Sequence, residues 1–254
     1  MGEIIKIEDR RKWIPEGKKY KENLSEIINK YTIDDIKKKD YCIIDAILIA
    51  EEIFGIYSEE VFAATPIIRI IQNFDFMIYN SDLSNLQDGR ISGVMEVNGR
   101  TKELYGADKV IITNCIDPIE QQRFVAAHEL GHYIMDCLGD PQYLNPNYLY
   151  RETYKSGEKK NKKERRADQF AAELLMPKKK FVYRYMVAVN QCNGNKEEIY
   201  KYLSEYFQVK IESVEKRIQE IFYLCACISC CIFSSIRIFT RSAISCVFIP
   251  LYSS

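Results

Sequence analysis

Residues 1–40 are polar and lysine-rich, with helical periodicity in Leu24, Ile27, Ile28 and Tyr31. This predicts a polar, helical N-terminal extension. From Tyr41 the pattern changes. An apolar run through Ile43, Ile44, Ala46, Ile47, Leu48 and Ala50 leads to Phe54, and Gly55 is a natural helix end. Thr65-Pro66 opens a second short helix over Ile67–Asn73. Three stretches rich in β-branched and aromatic residues follow, Phe74–Tyr79, Ile91–Val97 and Lys109–Thr113, and predict three strands, with a turn at Asn98-Gly99. Helical patterning then continues to about Leu224. Within it, Asp117-Pro118-Ile119-Glu120 is a helix start: Asp117 caps, Pro118 takes the first position and Glu120 closes a capping box. That helix should reach Leu138 and stop at Gly139. The expected fold is α+β, mostly helical, with a small three-stranded sheet packed beside this helix. Three segments follow from the patterning: 1–40, a core over 41–223, and an apolar tail over 224–254.

The chain has 254 residues, of which 36 are basic and 36 acidic. That length supports one sizeable core, and the balanced charge lacks the basic footprint of a dedicated nucleic-acid binder. No direct nucleic-acid binding is expected. Lys155–Arg166 is locally basic but carries few aromatics, and it is expected to be a solvated loop. Nine cysteines are unevenly placed. Cys42, Cys115, Cys137 and Cys192 suit buried free thiols in a reducing compartment, and no secretory signal pattern opens the chain, so a cytoplasmic location is expected. The other five crowd the tail. There, 16 uncharged residues run from Ile221 to Ile236, short of the roughly 20 needed for a spanning helix. Membrane contact through the tail is not the expected role. Cys227-Ile228-Ser229-Cys230 has metal-like spacing but no matching second pair.

Only two histidines occur, so any site needing three is excluded. Both fall in His128-Glu129-Leu130-Gly131-His132. Four residues apart on a helix, the two imidazoles share one face and converge on a single cation, with Glu129 beside them to take a proton from the attacking water. A catalytic zinc site normally has three protein ligands and an open position. The third must then be Asp, Glu or Cys. Glu164 and Asp168 lie at the same four-residue spacing on a second helix, with Ala167 and Ala171 small enough to allow close approach. Glu164 is the candidate ligand, and Asp168 the candidate acceptor for a ligand histidine's other N–H. Alternatives stay open: Glu173 lies more than two turns beyond Glu164, Cys137 would need the chain to curl back, and Asp168 could pair locally with Arg165 or Arg166.

The string Gln122-Arg123-Phe124-Val125-Ala126-Ala127-His128-Glu129-Leu130-Gly131-His132-Tyr133 resembles the signature of the ImmA/IrrE family of zinc metallopeptidases. So does Glu164-x-x-Ala167-Asp168-x-Phe170-Ala171-x-x-Leu174-Leu175-Met176-Pro177, in which the family often has Asn where Asp168 stands. The likeness covers roughly residues 40–223. It implies a gluzincin-like peptidase with one Zn2+ per chain, acting on a helix-turn-helix repressor, commonly one of a mobile element or prophage. Under that reading His128, His132 and Glu164 hold the ion and Glu129 is the general base. The oxyanion needs a further donor, with Tyr143, Tyr148, Tyr150 and Tyr154 as candidates. The strand Val110–Thr113 is a candidate for pairing with an extended substrate. The rival reading is a regulator of the same zinc fold that binds a repressor or DNA without cleavage. A helix pair over Tyr200–Phe207 and Glu212–Ile221 is weakly compatible with it, whereas an intact Glu129 argues against it.

Overall fold

The computed structural model describes residues 5–6, 22–24, 26–27, 41–57, 64–84, 91–98, 101–138, 150–155 and 161–223. In chain order the elements are β1 (Ile5–Lys6), α1 (Ile43–Tyr57), α2 (Ile67–Asn73), β2 (Met77–Ser81), β3 (Ile91–Val97), α3 (Thr101–Tyr105), β4 (Lys109–Asn114), α4 (Ile119–His132), β5 (Tyr150–Lys155), α5 (Lys162–Leu175), α6 (Lys178–Gln191), α7 (Lys196–Phe207) and α8 (Ile211–Ile218). Two π-helical turns, Tyr133–Cys137 and Gln219–Tyr223, follow α4 and α8. The fold is α+β and mostly helical. The chain divides into two compact units, 1–214 and 215–254. In the second, a buried Arg217 donates to Glu220 at 3.3 Å. The first holds the site.

The three expected strands are the middle of the sheet, and two more extend it in the order β1-β2-β4-β3-β5. β2 runs parallel to β4, and β3 pairs antiparallel with both β4 and β5. β4 is therefore hydrogen-bonded on both sides, which removes Val110–Thr113 as a strand that could accept a substrate peptide. The N-terminal segment is not wholly helical either. Residues 22–24 and 26–27 are helical and Leu24 is buried, but Ile5–Lys6 pairs with the outer edge of β2. A two-residue bridge has no periodicity to announce it.

The pleat assigns the two faces. Tyr79, Val94, Val110 and Ile112 join Leu83 and Ile91 in a buried cluster, with Met77, Tyr105 and Ala107 packed against it. Gly93, Met95, Ile111 and Thr113 alternate with these and point to the other face, toward α4. Gly93 fixes how closely α4 approaches: a Cβ there would stand 2.2 Å from Val125 Cγ1. Gly93→Ala is expected to destabilise the chain by about 1–3 kcal/mol through overpacking, read as a lower midpoint in thermal unfolding. An unchanged midpoint would mean that α4 can lift from the sheet freely. Half-buried Arg123 anchors the same helix, donating to Thr65 O at 2.8 Å and Gln208 O at 3.2 Å; desolvation lowers its guanidinium to about 10.

Several boundaries differ from expectation. α1 continues through Gly55 to Tyr57. β2 starts three residues late because Phe74 and Asp75 close the end of α2, with Asp75 in the left-handed region at φ 63°. α4 begins at Ile119 with Pro118 at its N-cap and no side-chain capping bond there, so the expected capping box is not what starts it. Residues 150–155 are a strand where helix was expected. Of the described cysteines only Cys137 is buried; Cys42 and Cys115 are exposed, Cys192 is half-buried, and all four are free thiols. Among the described residues no helix is long and apolar enough to cross a membrane. The tail 224–254 with its five cysteines, Gly99, Gly139, Tyr143, Tyr148 and the centre of the basic loop lie outside the described residues.

Candidate metal centre

α4 and α5 pack face to face because their contact surface is built from small residues. A Cβ on Gly131 would lie 2.9 Å from Phe170 Cδ1 and 3.4 Å from the Ala167 Cα, and Ala167, Phe170 and Ala171 are fully buried. This close approach carries Glu164, one helical turn before Asp168, onto the histidine face of α4. Asn161 fixes the start of α5, its side chain accepting the Glu164 N–H at 3.0 Å.

Three side chains meet there. His128 Nε2 lies 3.0 Å from His132 Nε2, and the two oxygens of Glu164 sit 3.2 Å from His128 Nε2 and 3.2 Å from His132 Nε2 respectively. Each ring's other nitrogen faces a carboxylate: His128 Nδ1 is 3.0 Å from Asp168 Oδ1, and His132 Nδ1 is 2.9 Å from Asp136 Oδ2. An Nδ1 hydrogen donated to each carboxylate leaves both Nε2 lone pairs directed at one another and at Glu164. Acceptors gathered this closely repel unless a positive charge stands among them. A proton on a ring is one solution, and a divalent ion that takes imidazole nitrogen and carboxylate oxygen is the other, so the donor set fits a metal. Burial pushes the Glu164 carboxyl up, but where the rings carry a proton toward it, the hydrogen bonds and charges of the two histidines outweigh burial and hold it well below the usual carboxylate range.

Glu129, between the histidines in sequence, is fully buried. Asp168 stands at His128, as expected of the acceptor for that ring's Nδ1. Glu173 is absent from the ligand group: its carboxylate accepts the Lys178 N–H at 2.8 Å at the start of α6. Cys137 lies buried in the π turn and is likewise not among the ligands. Of the four candidate tyrosines, Tyr154 has a described side chain. The register sets it opposite Gly93 on the α4 face, with its ring 4.7 Å from that of His128.

Two residues at the site were missed as partners. Asp136 was readable, since it stands four residues after His132, the spacing that relates the histidines themselves. Its partner Arg166 was expected on a solvated loop; it is instead 4% exposed and ion-paired to Asp136. Burial raises the Asp136 carboxyl, and its hydrogen bond to His132 together with the charges of His132, Arg166 and Lys163 brings it below its ordinary value.

The model of the IrrE N-terminal-like domain, a peptidase family, matches residues 91–219. No curated protein matches the chain. The matched span begins at β3 and ends within the helical region after α8. It includes all of α4 and α5, the two helices whose ligands converge, and the chain belongs to the ImmA/IrrE family of metallopeptidases.

Proposed function

We propose that the chain is a zinc-dependent endopeptidase that cleaves a helix-turn-helix repressor. The observation that carries the peptidase reading is the meeting of two imidazole Nε2 atoms and one carboxylate beside a buried Glu129. His128, His132 and Glu164 would hold the ion. Zinc, when bound, supplies polarisation of the scissile carbonyl and eases loss of a proton from the attacking water. Glu129 is assigned the proton: it accepts it from the water and returns it to the leaving amine. Asp168, at 3.0 Å from His128 Nδ1, keeps that ring turned toward the ion. The repressor substrate rests on family membership, and with it a role in transcription regulation on a mobile element and a cytoplasmic location.

The test is direct. The purified chain and its Glu129→Ala variant are incubated with Zn2+ and the repressor encoded beside the gene, and products are read by intact mass. Defined fragments from the wild type alone are expected. An intact repressor nonetheless released from its DNA would replace hydrolysis by binding.

A further inference from the structure

The two histidines are oriented in different ways. The partner of His128, Asp168, belongs to the opposite helix and its side chain is 26% exposed. The partner of His132, Asp136, belongs to the π turn that continues the same helix, and its side chain is 2% exposed. A carboxylate so buried is costly unless both oxygens are satisfied. Oδ2 faces His132, and Oδ1 is paired with the guanidinium of Arg166. Arg166 is itself buried and donates from Nη1 to the Tyr41 carbonyl at 2.8 Å, just ahead of α1. Lys163 Nζ stands 3.8 Å from Oδ1 at the solvent side.

We infer that Asp136 and Arg166 are positioning residues of the metal centre, in which Asp136 fixes the His132 ring and Arg166 fixes Asp136 against the backbone at Tyr41. The inference rests on the metal-site reading above. Stability alone is a poor reason for this arrangement, because a buried ion pair seldom outperforms apolar packing of the same volume. Its geometry suits orientation instead. The clamp leaves Asp136 one direction in which to accept the Nδ1 hydrogen, and so directs His132 Nε2 at Glu164. Arg166 lies two residues after Glu164, so the helix that brings the carboxylate ligand also brings the clamp.

The experiment measures Zn2+ affinity of the full chain by competition with a chromophoric chelator, together with the metal-free unfolding midpoint. Asp136→Asn is expected to weaken zinc binding by about 10–100-fold, the usual cost of losing such a partner. Arg166→Met is expected to weaken it, and Arg166→Lys to recover part of the loss. The Co2+-substituted variants should show an altered visible spectrum. Unchanged affinity with a lowered metal-free midpoint would make both residues merely structural. A wild type that binds no zinc would overturn the metal-site reading and this inference with it, whereas normal wild-type binding unaffected by the substitutions overturns the inference alone. Should the variants fail to fold, long-range proton–nitrogen correlation on the zinc-loaded wild type decides. His132 protonated at Nδ1 supports the positioning role; protonation at Nε2 excludes it.

Discussion

Glu129→Gln is expected to lower peptide hydrolysis by about 10²–10⁴-fold while leaving zinc bound, because a positioned general base contributes on that order. The side chain is fully buried on α4, one residue after His128, and it is not one of the three clustered ligand groups. Glutamine preserves its size and removes only its capacity to take a proton. Loss of turnover at unchanged metal content therefore isolates the base. Full activity in this variant would assign the proton to another group; lost metal would mean that Glu129 belongs to the ligand set. The same variant separates the two functional readings, since a regulator that only binds its repressor has no use for the base.

The second large effect concerns Glu164. Among the described residues it is the carboxylate that reaches both Nε2 atoms. Glu164→Ala removes the anionic member of the set and leaves two neutral imidazoles, so stoichiometric zinc binding and hydrolysis should be lost together. Stability shows it cleanly. Zinc at a thousandfold excess over its Kd should stabilise the wild type by about 4 kcal/mol, and the variant should show no zinc-dependent rise in unfolding midpoint. Glu173→Ala is the contrast. It removes the acceptor for the Lys178 N–H, at a cost of about 1–3 kcal/mol, with the zinc-dependent rise intact. Reversed outcomes for the two substitutions would move the third ligand to Glu173.

What the sequence made legible was local in origin. Both histidines on one helix face, and Glu164 and Asp168 on another, follow from four-residue spacing, and the small residues at 167 and 171 marked the close contact between the two helices. β4 was legible from its run Val110-Ile111-Ile112-Thr113 and β3 from Ile91, Val94, Met95 and Val97, and both strands are buried nearly throughout. The misses were tertiary. Asp136 gains its meaning from Arg166, thirty positions later, and from burial that composition around a lysine-rich segment does not suggest. β5, Tyr150-Arg151-Glu152-Thr153-Tyr154-Lys155, has no regular apolar alternation, and its pairing with β3 is what makes it a strand. The centrality of β4 depends on strand order, and a run of β-branched residues looks the same at an edge as in the middle.

Zinc K-edge X-ray absorption on the zinc-loaded wild-type chain, with metal content measured on the same sample, bears most directly on the centre formed by His128, His132 and Glu164. One zinc per chain is expected, with only nitrogen and oxygen neighbours at about 2.0–2.2 Å and imidazole scattering equivalent to two rings. A sulfur neighbour at about 2.3 Å, or a chain that retains no zinc, would contradict it.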